Sequence, residues 1–188
     1  MITGLYDIFK HWSATGSVYI ISDTHFEDGD CKYMDVDWPD PQTHIDNIKK
    51  YVHKNDTLVH LGDVGNPKWL EQIKAYKVLL MGNHDQSATK FRSYFNEIYT
   101  GPVFISDKIL LSHEPIHGVA WFNIHGHDHN DLYPQGYNYR NLASNCTRWG
   151  VFNLGREIKN GLLSQIDNIH RITIDKATEE KYRGKKWK

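Results

Sequence analysis

Five short apolar segments of this chain each end in residues that can bind a metal ion. They read IISDTH, VHLGD, LLMGNHD, ILLSH and NIHGHDH, and all lie between residues 20 and 129. Apolar, β-branched runs of this length are typical of strands buried inside a sheet. In open α/β sheets, ligands bind beyond the carboxyl ends of the strands. The repeated order of strand and then polar residue therefore predicts that all five clusters face one rim.

Helical segments separate the first strands and determine the predicted topology. In chain order we predict a strand at 17–23, a loop at 26–42, a helix capped by Thr43, a strand at 56–63, a helix at 68–76, a strand at 77–85 and a helix at 87–95. This alternation implies a parallel sheet with right-handed crossovers. The remaining elements are strands within 103–115, 118–129, 137–146 and 169–175, and a helix at 154–163. The later strands imply a second sheet or antiparallel additions.

The two ends of the chain suggest accessory segments of a single domain. Leu5, Ile8, Phe9 and Trp12 share one helical face within residues 1–16. This spacing predicts an amphipathic helix packed on the domain, with a membrane or partner helix as the alternative. We see no linker and no internal repeat, so residues 1–188 are expected to form one domain with a basic tail at 181–188.

Composition excludes several classes of protein. The chain has 188 residues, a net charge of −1 and no apolar stretch long enough to cross a bilayer, so nothing global attracts it to nucleic acid or membrane. The N-terminus lacks the basic region and apolar run of a signal peptide. Cys31 and Cys146 are far apart and form no CxxC pair, which favours a reducing compartment. We therefore expect a cytoplasmic protein without a membrane partner; its oligomeric state is left open.

The polar residues at the strand ends form a candidate set of metal ligands. The set consists of Asp23, His25, Asp63, Asn83, His113, His127 and His129. It contains no thiolate, and carboxylate, imidazole and amide groups suit Mn²⁺, Fe, Zn²⁺ or Ni²⁺, of which we favour Mn²⁺. Seven ligands exceed what one ion needs, whereas two ions that share a carboxylate would use them all. Two ions about 3.5–4 Å apart form the clamp used in phosphoryl hydrolysis.

The order and spacing of these motifs resemble one family. The series is Asp23-x-His25, Gly62-Asp63, Gly82-Asn83-His84-Asp85, His113 and Gly126-His127-x-His129. Over residues 17–129, and less clearly beyond them, the chain resembles the calcineurin-like metallophosphoesterases, in particular the small bacterial or phage members. The resemblance implies an α/β fold, a four-layer αββα sandwich of two mixed β-sheets flanked by helices.

The resemblance also implies a role for each matching residue. Asp63 would bridge two metal ions. The remaining ligands would be divided between the ions, with Asp23, His25 and His129 on one and Asn83, His113 and His127 on the other. His84 would be a catalytic residue near the leaving group, as a general acid or as a cation facing the phosphate. Asp85 would orient His84, although capping of the turn is an equally good interpretation.

Departures from the family pattern bear on the substrate. The segment GDVGNPK lacks the Asp-Arg-Gly of the protein Ser/Thr phosphatases, and Asp85 stands where those enzymes usually have Glu. Both features argue against a phosphoprotein substrate. We expect hydrolysis of a phosphodiester or phosphomonoester bond in a small nucleotide-like substrate, by attack of a metal-activated water.

Two alternatives remain open at this stage. A nuclease would need a basic surface, but loop 26–42 carries six acids and one lysine, which should repel a polyanion. A non-catalytic scaffold of the same fold is disfavoured because all seven ligand positions are filled.

Overall fold

The computed structural model describes residues 5–116, 121–132 and 138–162. The predicted strand at 169–175 and the basic tail at 181–188 lie outside these ranges, as do the first four residues. In the described part of the chain, no helix is both long and apolar enough to cross a bilayer.

A five-stranded sheet is built mainly from the first half of the chain. Its strands, in spatial order, are β4 (Glu97–Tyr99), β3 (Tyr76–Leu80), β2 (Thr57–His60), β1 (Val18–Ile21) and β9 (Phe152–Asn153). The first four are parallel, with Ile20 opposite Val59 and Val59 opposite Val78, whereas β9 runs antiparallel to β1. The predicted parallel sheet is therefore confirmed, with one strand added from later in the chain.

The later strands form a second sheet of four strands. Its order is β5 (Val103–Phe104), β6 (Ile109–Leu111), β7 (Phe122–His125) and β8 (Tyr139–Asn141). Strands β5 and β6 are antiparallel, whereas β6, β7 and β8 are parallel. Strands β5 and β6 both lie within 103–115, as the sequence pattern predicted.

Short helices connect and flank the strands. They are α1 (Asp7–Trp12), α2 (Cys31–Met34), α3 (Pro41–Lys49), a 3₁₀ helix (Pro67–Gln72), α4 (Ala88–Phe91) and α5 (Leu154–Glu157), which continues as a π-helical turn (Ile158–Leu162). Two predictions were wrong here. Helix α2 lies inside the predicted loop 26–42, and α3 is capped by Asp40, whose carboxylate accepts from the Thr43 backbone N–H at 3.0 Å, rather than by Thr43.

Alternate residues along the strands of the first sheet pack into two separate hydrophobic cores. Ile20, Val59 and Val78 face the second sheet, where Leu111 and Ile124 complete the layer between the sheets. The opposite face packs against the helices, and its cluster includes Ile21, Leu58, Leu79, Ile45, Ile48 and Phe91. The prediction of two mixed sheets with flanking helices is thus confirmed.

The amphipathic N-terminal segment packs on the domain as predicted. Phe9 and Trp12 of α1 are buried in the core between the sheets. The indole N–H of Trp12 donates to the carboxylate of Glu97 on β4, which also accepts from the Tyr76 hydroxyl at 2.9 Å. The sequence pattern did not predict strand β4, because β4 begins with the polar residue Glu97 and not with an apolar one.

Candidate metal centre

All seven predicted ligands lie just beyond the ends of strands β1, β2, β3, β6 and β7. Six of them form two groups within which the ligand atoms lie within 4.8 Å of one another; Asp23, His25 and His129 make up the first, and Asp63, His113 and His127 the second. The rule that ligands gather at the carboxyl edge of such sheets therefore holds across both sheets.

One carboxylate joins the two groups. Oδ2 of Asp63 is 3.7 Å from Nε2 of His25 in the first group and 3.4 Å from Nε2 of His113 in the second. A single oxygen within reach of both sets of ligands is the arrangement that a bridging carboxylate requires. Asp63 is 2% exposed, so this oxygen is held in place by the protein interior.

Asn83 completes the second group. Its Oδ1 lies 2.8 Å from Nε2 of His113 and 3.0 Å from Nδ1 of His127, and these two ring nitrogens are 3.2 Å apart. Asn83 and His127 are exposed, whereas Asp23 and His25 in the first group are buried. Solvent therefore reaches the second group at Asn83 and His127, whereas its other members, Asp63 and His113, are buried.

The chemistry of these atoms fits a bound cation. Nδ1 of His113 lies 2.9 Å from the Leu61 carbonyl oxygen and donates to it, which directs its Nε2 at the oxygens of Asp63 and Asn83. Nε2 of His25 is buried and has no hydrogen-bond partner among the described residues. Carboxylate and amide oxygens that converge with ring nitrogens on one point favour a positive charge among them. The residues present therefore fit divalent ions in both groups.

Two residues outside the predicted set orient two of the candidate ligand histidines. Nδ1 of His25 lies 3.1 Å from the Asp28 carboxylate, and Nδ1 of His129 lies 2.8 Å from Oδ1 of Asn145. Each contact leaves Nε2 directed into the site, as metal-ligating histidines require. Sequence reasoning missed both: Asp28 follows His25 by three residues but was read only as part of an acidic loop, and nothing in the sequence singles out Asn145.

The backbone around the ligands adopts uncommon conformations. Asp23, His25, Asp63 and His127 have φ values of 54°, 42°, 55° and 65°, in the left-handed region that non-glycine residues seldom occupy. Such residues cost about 1–3 kcal/mol each and persist where the surrounding structure fixes them. The turn before His127 also needs glycine, because a Cβ at Gly126 would collide with Ser22 Oγ and Asp23 Oδ2.

The two predicted catalytic residues occupy different environments. His84 is exposed, its backbone N–H donates to Oδ1 of Asp63 at 2.9 Å, and its ring lies 5.6 Å from that of His25. Asp85 is 7% exposed and accepts from the backbone N–H groups of Gly82, Asp63 and Val64 at 2.9, 2.9 and 3.1 Å. These contacts correspond to the turn-capping interpretation of Asp85 and not to orientation of the His84 ring.

His60 forms hydrogen bonds with the segments that follow β1 and β2. Its Nδ1 accepts from the Gly62 N–H at 3.1 Å, so Nε2 carries the proton and donates to the Thr24 hydroxyl at 2.9 Å. Burial lowers the pKa of His60 to about 3, which keeps the ring neutral. His60 thus has the structural role expected for a histidine inside a buried strand.

The electrostatics of Asp63 and His113 are those of a coupled pair. Burial alone would raise the pKa of Asp63, but the hydrogen bond and charge of His113 and the His84 N–H lower it to about 2. Burial likewise opposes the charged form of His113, but contacts with Asp63 and the charge of Asp23 raise its pKa. Asp63 is therefore ionised and ready to act as a ligand throughout the physiological range.

A sequence model described as "Calcineurin-like phosphoesterase" matches residues 16–182, which is most of the chain. The chain belongs to the calcineurin-like phosphoesterase family. Membership implies phosphohydrolase activity in general and the use of divalent metal ions, in agreement with the two ligand groups.

Solved structures give further comparisons for this calcineurin-like phosphoesterase. A protein of unknown function, AQ665 from Aquifex aeolicus, matches with 25% identity and a TM-score of 0.62, over 77% of this chain and 98% of its own. The nuclease MPE from Pseudomonas putida matches with 17% identity and a TM-score of 0.44, over 58% of this chain and 60% of its own. No curated protein matches the chain.

Proposed function

We propose that this chain hydrolyses a phosphodiester or phosphomonoester bond of a small nucleotide-like substrate, with two divalent ions held by the seven ligands. The observation that carries the proposal is the position of Asp63 Oδ2, within 3.7 Å of a histidine nitrogen from each group. A shared carboxylate is how two ions are brought to the separation that phosphoryl hydrolysis uses. We favour Mn²⁺, since oxygen and imidazole ligands without a thiolate suit it.

The protein contributes position and charge. When bound, two such ions would activate water and neutralise the charge that develops on the phosphate. Asp28 and Asn145 hold the rings of His25 and His129, so their Nε2 atoms are directed into the site before any ligand binds. The Asp63 carboxylate is held by the His84 N–H at its other oxygen, which leaves Oδ2 for the two groups.

His84 is the residue best placed to serve the leaving group. Its ring is exposed and borders His25, and within the described part of the chain no hydrogen bond engages its ring nitrogens. A histidine with free ring nitrogens can give a proton to a departing alkoxide, a contribution worth typically 10²–10⁴-fold.

The acidic loop favours a small substrate over a polymer. Asp30 is exposed beside the site, and Asp28 contacts a ligand directly. Lys32, the one cation of loop 26–42, donates to the carbonyl oxygens of Val36 and Trp38 and so serves the loop itself. A run of phosphates crossing this rim would meet an excess of negative charge, which disfavours a nuclease.

The test is a hydrolysis panel with purified protein and added Mn²⁺. It compares bis-p-nitrophenyl phosphate, p-nitrophenyl phosphate, cyclic nucleotides and single-stranded DNA. We expect the small esters to be hydrolysed faster than DNA, and metal analysis to give two ions per chain. One ion at saturating metal would contradict the dinuclear site, and rapid cleavage of DNA alone would favour the nuclease.

The variant His84→Ala tests the role of His84. We expect a lower kcat with both ions retained, and a larger loss on a nucleotide ester than on a p-nitrophenyl ester, because nitrophenolate leaves without a proton. Equal losses on both esters would show that His84 acts as a fixed charge, and loss of one ion would show that it is a ligand.

A further inference from the structure

A cleft of about 990 Å³ opens beside the second group of ligands. His127 and His129 form its inner wall, and Tyr33, Met34 and Leu132 contribute apolar surface to it. The cleft is therefore continuous with the metal centre, and a molecule whose phosphate binds there would extend into it.

Two apolar side chains on this cleft are unusually exposed. Tyr33 of α2 is 90% exposed and Leu132, after the GHDH segment, is 74% exposed. The backbone N–H of Tyr33 donates to the Asp30 carbonyl oxygen at 2.9 Å, which fixes the residue to the short helix. Its ring makes no aromatic contact with another described residue. An aromatic ring held in solvent at the mouth of a site is free to stack on a ligand.

The charge around these residues limits what that ligand can be. Asp30 and Glu114 are exposed on the same cleft, and among the described residues that line it there is no lysine or arginine. A second phosphate or any other anion would be repelled, whereas an uncharged group would not. A nucleobase meets both conditions, because it is flat and neutral and its exocyclic N–H groups can donate to carboxylates.

The position of His84 indicates which part of the substrate lies in the cleft. The ring of His25 lies 5.6 Å from that of His84 and 5.4 Å from that of His129, which lines the cleft. His84 lines a different depression, with Asn66 and Lys90, and does not line the cleft of Tyr33. A leaving group served by His84 would therefore depart on the side away from Tyr33, and the group retained on the phosphate would occupy the cleft.

We propose that Tyr33 and Leu132 bind the retained group of a phosphodiester, and that this group is an uncharged aromatic ring of the nucleobase type. The inference rests on the proposed phosphoesterase function and deepens it, because it names the substrate class and two residues that determine specificity. Neither residue belongs to the candidate ligand set, so we assign both to binding and not to the chemical step.

Two substrates with the same leaving group test the proposal. Thymidine 5′-(p-nitrophenyl phosphate) and methyl p-nitrophenyl phosphate differ only in the retained group. We expect wild-type protein loaded with Mn²⁺ to prefer the thymidine ester. Tyr33→Ala should lower kcat/KM for that ester about 10-fold through KM, in line with the loss of one stacked base, and change the methyl ester less than twofold. Tyr33→Phe should restore the preference, and Leu132→Ala should give a smaller loss of the same kind.

Controls separate this inference from the proposed function. Tyr51 is 52% exposed but does not line the cleft, so Tyr51→Ala should leave both esters unchanged. Calorimetry can measure the binding of thymidine 5′-phosphate and of inorganic phosphate without turnover. Tyr33→Ala should weaken binding of the nucleotide about 10-fold and leave binding of inorganic phosphate unchanged. If wild-type protein hydrolyses neither ester, the proposed function fails while this binding arm still decides the role of Tyr33. The inference is overturned if Tyr33→Ala affects both esters equally, or affects neither, and also leaves nucleotide binding unchanged.

Discussion

The substitution Asp85→Asn separates a structural role of Asp85 from a catalytic one. The carboxylate of Asp85 is 7% exposed and accepts from three backbone N–H groups, those of Gly82, Asp63 and Val64, at 2.9–3.1 Å. An asparagine of the same shape has a single acceptor oxygen. Its best placement keeps that oxygen on the Gly82 and Asp63 N–H groups and turns the NH₂ group toward the N–H of Val64.

The expected loss of stability follows from these contacts. One buried N–H without an acceptor costs about 1–3 kcal/mol, and the two remaining hydrogen bonds lose the strengthening that a charged acceptor gives. Burial, which raises the pKa of Asp85, offsets part of this because the neutral amide is easier to desolvate. We therefore expect the free energy of unfolding to fall by about 3 kcal/mol, which lowers Tm by roughly 6–12 °C in a chain of this size.

The assay pairs thermal unfolding with kinetics and metal binding. Since Asp85 holds the N–H of Asp63, the proposed bridging residue, Asp85→Asn should weaken metal binding together with stability, and excess Mn²⁺ should recover most of the activity. Asp37→Asn, the same change at an exposed acid of loop 26–42, is the matched control and should alter neither. A low kcat at saturating metal with unchanged Tm would refute this reasoning and support the catalytic role implied by the family resemblance.

Three further predictions concern the ligands, their glycine turn and a buried histidine. Asp63→Asn should remove most activity at saturating metal, and more than Asn83→Ala does, because Asp63 faces both groups; near-normal turnover in Asp63→Asn would contradict the bridge. Gly126→Ala should lower metal affinity at least about 10-fold and cost about 1–3 kcal/mol of stability, since the new Cβ displaces Ser22; calorimetry and thermal unfolding test both effects. Burial lowers the pKa of His44 to about 4, so the unfolded chain binds the proton more readily between pH 4 and 6.5, and stability falls as pH decreases through that window. Acid unfolding curves measured in chelator should show that His44→Phe removes about 3 kcal/mol of this loss, and an unchanged pH profile would rule out this role of His44.

The position of the metal centre could be predicted from the sequence because it depends on local order. A buried strand followed by Asp23 and His25 places those side chains at the carboxyl edge whatever the rest of the chain does. The same holds for Asp63 after β2 and for His113 after β6. Each prediction needed only the direction of one strand, and parallel pairing brought the ends together.

Features that depend on contacts between distant segments could not be predicted. The partner of His129 is Asn145, which lies in a turn after β8 that the sequence pattern presented as a continued strand. Strand β9 has two residues and carries no alternating pattern of its own, so its pairing with β1 is visible only in three dimensions. The cap of α3 was misplaced for a local reason, because Asp40 precedes Pro41, which can begin a helix at its first position.

The antiparallel pairing of β9 with β1 has a consequence for folding during synthesis. β1 leaves the ribosome well before β9, its second neighbour, so the pairing of Ile20 with Phe152 must wait until β9 has been made. Until then β1 is an edge strand with unpaired N–H and C=O groups and apolar side chains, the kind of template that other chains can join. Closing so long a loop is slow compared with forming local contacts. The nascent protein is therefore most prone to aggregation in the interval between the emergence of β2 and that of β9, and a chain that stops short of residue 152 would retain the open edge permanently.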